Sequence, residues 1–318
     1  MGKRQYQRTD DGSLSLLQED IDQLYHNRIG AFTEAVADYA KPALAILSYL
    51  YKEAAHLHLL DSCFGLGYNT LVFLQELLAN QKQVSTDQKQ LLPALKSFEI
   101  TAIDLDGDLL ADCLSDILDQ PCFAPLKDLN SQVLFDASGQ EQKNTSGQIQ
   151  ISSRFYAHDL RQTILSLTEK GMDSPIDMIF HDPFSPLKIT EHWTIDLFAA
   201  YQKLMHKERG FIITYSSAPA VRAALRQLGF FVYSTTALGG KNGGTLASSK
   251  DLGEILGDTS GIHHLGEAEE IRLTERASVP YRDPHFLCSG EEIRANRLVE
   301  QGKIPVPKLV RPRRRKAE

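Results

Sequence analysis

The sequence predicts an α/β fold whose Rossmann-like sheet is mostly parallel, carries one antiparallel hairpin at its end and lies behind a small N-terminal cap. Strand and helix patterns alternate along the chain, and this order requires parallel strands with right-handed crossovers. The last two predicted strands are joined only by a glycine-rich loop, so they must pair antiparallel. An acid and two glycines follow the first buried strand, as in turns that hold nucleotides.

The N-terminal part, residues 1–52, lacks this alternation and is expected to form the cap. Asp11-Gly12 lies inside an alternating stretch, 5–17, which predicts a β-hairpin. After Gly30 the apolar residues recur at spacings of three and four as far as Leu50, which predicts an amphipathic helix.

Residues 53–250 contain the alternating elements and are expected to form the main domain. Strands are predicted at 57–60, 95–104, 155–158, 176–181, 211–214, 230–235 and 245–248. Helices are predicted at 71–78, 109–118, 193–205, with Thr190 as N-cap, and 218–228. The polar stretch 119–148 predicts a loop insertion with little regular structure. Residues 251–318 are expected to form a C-terminal extension that ends in a basic tail, 311–316.

The composition is that of an ordinary globular protein and does not favour a nucleic-acid binder. The 318 residues are 42% hydrophobic and carry a net charge of −7. No apolar run is long enough to cross a membrane and the N-terminus is not signal-like, so a cytoplasmic protein without membrane contact is expected. The four cysteines lack C-x-x-C spacing, which predicts reduced thiols and no metal site. The basic tail is either a phosphate contact or a solvated end.

The turn Asp61-Ser62-Cys63-Phe64-Gly65-Leu66-Gly67-Tyr68-Asn69 is the most informative motif. Glycines at such a turn bring backbone N–H groups and a helix N-terminus close to a ligand. A dinucleotide fingerprint would place a third glycine at Thr70, so it is incomplete. Asp61 would repel a pyrophosphate but attract the ammonium of a methionyl group, which favours S-adenosylmethionine. The alternative is a tight turn with no ligand.

Four acids follow predicted strands, where ligands of open α/β sheets bind. They are Asp61, Asp104, Asp159 and Asp182. Asp104 at the end of the second strand is expected to accept the two ribose hydroxyls of the cofactor. Asp159 is expected either to bind the adenine amino group or to cap the helix that follows it.

The segment Phe180-His181-Asp182-Pro183-Phe184-Ser185-Pro186 predicts a rigid loop that presents a carboxylate and an aromatic ring. Methyl transfer requires a neutral nucleophile, and an alkylamine is mostly protonated at neutral pH, so a carboxylate that accepts its proton is useful. Asp182 is the predicted catalytic residue. Phe184 is expected to stack on a substrate base, whereas Trp193 and His181 are expected mainly to pack.

These motifs resemble the MnmC-type tRNA methyltransferases. The resemblance extends in order over most of the chain and is carried by Asp11-Gly12-Ser13, Tyr25, Gly30, Glu34, the turn 60–69, the loop 182–186 with Trp193-Thr194, the segments 214–218 and 229–230, Gly239-Gly240-Lys241 and 280–284.

The resemblance implies a class I methyltransferase fold and N-methylation of 5-aminomethyl-(2-thio)uridine at the wobble position of tRNA, with S-adenosyl-L-methionine as cofactor. It implies that Asp61, Gly65, Gly67, Asn69, Asp104 and Asp159 bind the cofactor. It also implies that Tyr25, Phe184 and Lys241 bind the substrate. The chain is expected to be a stand-alone methyltransferase without the FAD oxidase domain, so separate enzymes would make the amine precursor. Arg28, Arg222, Lys241 and the basic tail are expected to line one tRNA-binding face.

Two other classes of function stay open on the sequence. Another amino-group methyl- or aminopropyltransferase on this fold would also bring an amine to a sulfonium. A nucleotide-binding module without chemistry would need only the glycine turn. An NAD-dependent dehydrogenase is disfavoured, because the third glycine is absent and no proton-relay residue is recognisable.

Overall fold

The structure is a computed structural model that describes residues 6–18, 23–26, 28–82, 91–126, 134–136, 138–238 and 243–303. The strands are β1 (Tyr6–Arg8), β2 (Leu14–Gln18), β3 (Gln23–Leu24), β4 (His56–Asp61), β5 (Ser97–Asp104), β6 (Gln142–Ser146), β7 (Ile149–Ala157), β8 (Met178–Phe180), β9 (Phe211–Thr214), β10 (Phe231–Thr235), β11 (Thr245–Ser248) and β12 (Ile262–His263). The α-helices are α1 (Ala31–Glu34), α2 (Lys41–Leu50), α3 (Tyr68–Lys82), α4 (Gly107–Leu118), α5 (Leu160–Lys170), α6 (Ile195–Leu204), α7 (Pro219–Gln227), α8 (Glu267–Arg272) and α9 (Gly290–Gly302).

Within the described residues, the central sheet has nine strands in the order β12-β10-β11-β9-β8-β4-β5-β7-β6. The neighbours β9-β8-β4-β5-β7 are parallel, and β11 runs antiparallel to both β9 and β10. This arrangement confirms the predicted mostly parallel sheet with an antiparallel terminal hairpin. The edge strands β6 and β12 add two antiparallel pairs that the sequence did not predict.

The order of the strands creates a crevice between β4 and β8. From β4 the chain moves outward through β5 and β7, and it then returns to the other side of β4 to form β8. Ligands of open α/β sheets bind beyond the carboxyl ends of the strands at such a reversal. Asp61 at the end of β4 pairs in register with Phe180 of β8, so the glycine turn and Asp182 lie side by side.

Helices cover both faces of the sheet because the buried strand residues alternate between them. Leu57 and Leu59 of β4 belong to one apolar cluster with α2, α3 and α4. Leu60 belongs to a second cluster with α5, α6 and α7. Within the described ranges, no helix has the length and apolar character that crossing a membrane requires.

The N-terminal part forms a small three-stranded antiparallel sheet followed by a long helical segment. The hairpin predicted around Asp11-Gly12 is present, with Arg8 paired to Leu14. The helical segment changes from α1 to a π-helix, Ala35–Ala40, before it continues as α2. The sequence predicted the helix but not the wider π turn.

Two predictions about the elements were wrong. Residues 119–148 were expected to form a loop insertion with little regular structure, but they contain a 3-10 helix, Pro121–Leu126, and the strand β6. An edge strand has a neighbour on one side only and can be polar, so its sequence does not show a strand pattern. Thr190 was expected to cap the helix at 193–205, but Thr194 is the cap, and a 3-10 helix, Thr190–Trp193, precedes α6.

Candidate active site

A cavity of about 1260 Å³ opens beyond the carboxyl ends of the sheet. Its walls come from the loops after β4, β5, β7, β8 and β9 and from the N-terminal part. Ligand pockets usually measure about 300–1,000 Å³, so this volume suffices for a nucleoside cofactor together with part of a second ligand. Seven of the ten predicted site residues line the cavity: Tyr25, Gly65, Asn69, Asp104, Asp159, Asp182 and Phe184.

The glycine turn has a backbone that only glycine adopts without strain. Gly65 and Gly67 have φ angles of +53° and +80°. A Cβ atom on Gly67 would lie 2.5 Å from the ring of Phe64, and one on Gly65 would lie 3.0 Å from the ring of Tyr25. Gly65 therefore forms part of the cavity wall, whereas Gly67 lies behind it and allows the turn to close.

Asp104 fixes the glycine turn and also faces the cavity. One carboxylate oxygen accepts a hydrogen bond from the Gly65 N–H (2.8 Å) and the other accepts one from the Asp106 N–H (3.0 Å). Burial raises the pKa of Asp104, and these two hydrogen bonds oppose that rise. Each oxygen retains a second lone pair, so the carboxylate can also accept hydroxyl groups of a ribose.

Asp61 is fully buried beneath the turn and does not line the cavity. Its Oδ2 accepts a hydrogen bond from the Thr70 hydroxyl (2.7 Å), while its Oδ1 has no hydrogen-bond partner among the described residues. Burial raises its pKa to about 7, and the charges of Asp182 and Asp104 act in the same direction. A cation at the cavity floor would favour the ionised form.

Asp159 caps helix α5 and also lines the cavity. Its Oδ1 accepts a hydrogen bond from the Gln162 N–H (3.0 Å) at the first turn of the helix. Oδ1 of Asp159 therefore acts as the helix cap that was one of the two expectations. Because Asp159 also lines the cavity, its position is compatible with a ligand contact as well.

Asp182 lines the cavity beside the glycine turn and is hydrogen-bonded to Asn69, the last residue of the turn motif. Its Oδ2 accepts a hydrogen bond from the Asn69 amide (2.7 Å), and Tyr39 also lines the cavity. Burial raises the pKa of Asp182 to about 6, and the hydrogen bond from Asn69 and the nearby Tyr39 hydroxyl oppose that rise. Asn69 was expected to bind the cofactor, and its side-chain amide donates a hydrogen bond to Asp182.

The loop after Asp182 is fixed by contacts to its backbone. The Tyr215 hydroxyl donates to the Pro183 carbonyl (3.0 Å), and the Trp193 indole N–H donates to the Phe184 carbonyl (2.9 Å). Trp193 is fully buried and fills the core. The Phe184 ring meets the Tyr25 ring edge-on at 5.0 Å on the cavity wall.

The structure does not support a tRNA contact for Arg222, and it does not describe two other parts of the expected tRNA-binding face. Arg222 is 2% exposed, so the expectation that it contacts tRNA is wrong. Its guanidinium donates to the Thr245 hydroxyl and to the carbonyls of Gly243 and Gly244, and it pairs with Glu269. Lys241 and the basic tail lie outside the described residues.

The N-terminal helical segment adds carboxylates to the cavity that were not predicted as site residues. Glu34 and Asp38 line it together with Tyr39, and the lining contains no lysine or arginine among the described residues. The helical pattern after Gly30 predicted a helix, but it did not show which side of that helix would face the cavity. No group of three or more His, Cys, Asp and Glu side chains in the described part of the chain is arranged to hold a metal ion.

The residues present fit S-adenosyl-L-methionine. A cavity lined by the carboxylates of Asp104, Asp159 and Asp182 suits a ligand with an ammonium and a sulfonium. Glycine at positions 65 and 67 lets the Tyr25 and Phe64 rings pack closely against the turn. Asp104 lines the cavity and could accept ribose hydroxyls.

Comparisons with known proteins agree with this assignment. Residues 122–250 match the family model Methyltransf_30, described as S-adenosyl-L-methionine-dependent methyltransferase. The chain is similar to the uncharacterized protein MJ0670 of Methanocaldococcus jannaschii, with 28% identity over 299 residues, 93% of this chain and 72% of that protein.

Among solved structures, MnmC2 from Aquifex aeolicus superposes with a TM-score of 0.71 and 26% identity. The superposition covers 96% of this chain and 87% of the Aquifex chain. These likenesses support an MnmC-type methyltransferase domain, and the chain is an S-adenosyl-L-methionine-dependent methyltransferase with the class I fold.

Proposed function

We propose that the protein methylates the amino nitrogen of a 5-aminomethyl group on (2-thio)uridine at the wobble position of tRNA. The observation that carries this proposal is Asp182, a carboxylate that lines the cavity beside the glycine turn and whose pKa is raised by burial to about 6. The ordered motif resemblance supplies the tRNA substrate, and the likeness to MnmC2 supports it.

The carboxylates of the cavity select and prepare a cationic amine. An alkylammonium is attracted by Asp182, Glu34 and Asp38, which line the cavity without a competing lysine or arginine in the described residues. Asp182 then accepts a proton from the ammonium, because the nitrogen needs its lone pair to attack. S-adenosyl-L-methionine, when bound, supplies the electrophilic methyl group. As the nitrogen gains the methyl group, the carbon–sulfur bond of the sulfonium would break with its electron pair going to sulfur. The direct products would be a secondary ammonium and S-adenosyl-L-homocysteine, and the proton taken up by Asp182 would pass to solvent.

The aromatic pair at the cavity wall suits the uracil ring. RNA bases outside a helix are commonly held by stacking on aromatic side chains. Tyr25 belongs to the N-terminal part and Phe184 to the loop after β8, so a base held by this pair would place its 5-substituent near Asp182. In this proposal Tyr25 and Phe184 orient the base, and Asp182 orients its amine.

A transfer assay tests the proposed function. Purified protein is incubated with methyl-labelled S-adenosyl-L-methionine and bulk tRNA that lacks the final methyl group, and the tRNA is digested to nucleosides. We expect the label in 5-methylaminomethyl-(2-thio)uridine. The matched control is tRNA that already carries the methyl group, which should accept no label. Label in DNA, protein or a polyamine, with none in tRNA, would contradict the proposal.

A further inference from the structure

The hydroxyl of Tyr68 joins the glycine turn to the small N-terminal sheet β1–β3. Tyr68 is the first residue of α3, is 1% exposed and lines the cavity. We propose that Tyr68 is a positioning residue that holds the Tyr25 ring, and with it the aromatic pair Tyr25–Phe184, where the substrate base binds. This inference rests on the proposed function, in which that pair orients the base.

The Tyr68 hydroxyl accepts two hydrogen bonds from outside its own helix. The backbone N–H of Leu14, the first residue of β2, donates to it at 2.9 Å, and the side-chain amide of Gln120 donates at 2.7 Å. The amide oxygen of Gln120 accepts the same Leu14 N–H at 3.1 Å. Tyr68 and Gln120 are both buried, and together they fix the start of β2. Removing one partner of a buried hydrogen bond leaves the other unsatisfied, which is costly.

Strand β2 connects Leu14 to Tyr25 over a short distance. The Leu16 carbonyl accepts the Tyr25 N–H at 3.0 Å. The Ser15 hydroxyl accepts the N–H of the next residue, His26, at 3.2 Å. Strand β3, which ends directly before Tyr25, pairs antiparallel with β2. Because the backbone on both sides of Tyr25 is hydrogen-bonded to β2, a displacement of the start of β2 also displaces the Tyr25 ring.

The Tyr25 ring contacts both of the loops that the two ligands approach. A Cβ atom on Gly65 of the glycine turn would lie 3.0 Å from this ring, and the Phe184 ring of the loop after β8 meets it at 5.0 Å. A displacement of about 1 Å in a group that orients a substrate can reduce a rate about 100-fold. Groups that orient a substrate therefore need support from surrounding contacts, and Tyr68 supplies one for Tyr25.

A second connection attaches the N-terminal sheet to α1 without Tyr68. Asp11 Oδ2 accepts hydrogen bonds from the Thr33 N–H (2.9 Å) and from the Thr33 hydroxyl (2.8 Å). The Ser13 hydroxyl accepts the Ala31 N–H at 2.9 Å. These bonds remain when the Tyr68 hydroxyl is removed, so we expect the sheet to stay attached while the start of β2 and Tyr25 are held less firmly.

The test compares Tyr68→Phe with Tyr51→Phe in the full chain. Tyr68→Phe removes the hydroxyl and keeps the ring, which packs on His26 and Phe123. We expect the KM for tRNA to rise by about fivefold, the effect of losing one neutral hydrogen bond, while the dissociation constant for S-adenosyl-L-methionine stays unchanged. Tyr51 is 1% exposed and donates to the Arg209 carbonyl at 2.8 Å, but it does not line the cavity. Tyr51→Phe should change neither quantity.

A double-mutant cycle separates this role from a general loss of stability. If the Tyr68 hydroxyl acts through the Tyr25 ring, it has nothing to position once that ring is absent. In a Tyr25→Ala background we therefore expect Tyr68→Phe to change the KM for tRNA by less than about twofold. The same fivefold rise in both backgrounds, or an equal rise in Tyr51→Phe, would overturn the role of Tyr68.

A spectroscopic readout keeps this inference separate from the proposed function. Tyr25 is replaced by fluorotyrosine, and its fluorine resonance is recorded by NMR spectroscopy in the free protein. We expect Tyr68→Phe to shift or broaden this resonance, because the ring is held less firmly, and Tyr51→Phe to leave it unchanged. An unchanged resonance in Tyr68→Phe, or the same change in Tyr51→Phe, would overturn the inference. If wild type transfers no methyl group to tRNA, the proposed function fails, and the fluorine spectra still decide whether Tyr68 positions Tyr25.

Discussion

At the residue scale, two carboxylates in and beneath the cavity have pKa values that burial raises and hydrogen bonds lower. Burial raises the pKa of Asp61 to about 7 and that of Asp182 to about 6. An acid with a pKa near the working pH can both lose and accept a proton, which suits acid–base chemistry. Of the two, only Asp182 lines the cavity.

Asp182→Asn should abolish proton acceptance while retaining the shape of the side chain. We expect kcat for methyl transfer to fall by about 100-fold or more, in the range that general base catalysis contributes. S-adenosyl-L-methionine should still bind, as measured by isothermal titration calorimetry. Wild-type turnover in the asparagine variant would show that Asp182 has no catalytic role.

Asp61 should make the stability of the free protein decrease as the pH rises. Its pKa in the folded state, about 7, is above the ordinary value of 3.8, so folding takes up a proton between these values. Its contribution is favourable below about pH 4 and is lost through pH 7, at up to ~1.4 kcal/mol per pH unit.

Urea unfolding of wild type and Asp61→Asn from pH 4 to 8 measures this effect. We expect the variant to gain stability relative to wild type as the pH rises. The comparison is needed because buried His181, whose pKa is lowered to about 3, changes stability in the opposite direction. Parallel stability curves for the two proteins would refute the assignment.

The residues that could be predicted from sequence are those that end strands or occupy special turns. Asp104, Asp159 and Asp182, predicted from their positions at the ends of apolar strands, line the cavity, whereas Asp61 is buried beneath it. Tyr39 was not found as a site residue, since its contacts come from tertiary packing of a helix on a distant loop. Arg222 was misread as a surface cation for the same reason, because sequence does not show which arginine is covered.

At the element scale, the turn between β4 and α3 depends on glycine at two positions. Gly67 has little space, because the Phe64 ring that would meet its Cβ is itself packed against Phe135 and Phe155. A packed ring moves only at the expense of its neighbours. The turn is therefore rigid as well as open to a ligand.

Gly67→Ala should displace the glycine turn and weaken cofactor binding. We expect the dissociation constant for S-adenosyl-L-methionine to rise by about tenfold or more, since a small misplacement of a binding turn has large effects. Gly229→Ala is the matched control, because its φ angle is +88° and nothing lies within 4 Å of its Cβ. It should lower stability by about 1 kcal/mol and leave the dissociation constant unchanged. Equal affinities of Gly67→Ala and wild type would contradict this account.

Helix α7 carries one structural arginine and one surface arginine, a turn apart. Arg222 bonds the backbone before β11 from a buried position, whereas Arg226 pairs with Glu270 at the surface. We expect Arg222→Met to reduce the free energy of unfolding by about 2–4 kcal/mol, and Arg226→Met by about 1 kcal/mol or less. Denaturant titration measures both losses, and equal losses would show that burial of Arg222 does not matter.

Elements were predicted well where both faces of a strand are buried. The strands 211–214 and 245–248 were predicted at their observed bounds. Each is a short run of strand-forming residues that begins directly after a glycine. Strand β7 is longer than the predicted 155–158, since its alternating pattern includes the buried polar Ser153. Polar and short elements, such as β6 and β12, obtain their structure from neighbouring strands rather than from their own sequence.

At the whole-molecule scale, the sheet and the N-terminal part act together. The crevice between β4 and β8 places the glycine turn beside Asp182, and the helical segment with Glu34, Asp38 and Tyr39 closes one side of the cavity. The alternation of elements predicted this sheet, but it did not predict how the N-terminal part packs over it. That packing adds the negative charge that suits a cationic substrate.

A crystal structure with S-adenosyl-L-methionine bound would show whether the methyl group meets Asp182. We expect the nucleoside to lie across the carboxyl ends of the strands, with the ribose at Asp104 and the methyl group facing Asp182. Density for the cofactor elsewhere, or a methyl group turned away from Asp182 toward the protein interior, would contradict it.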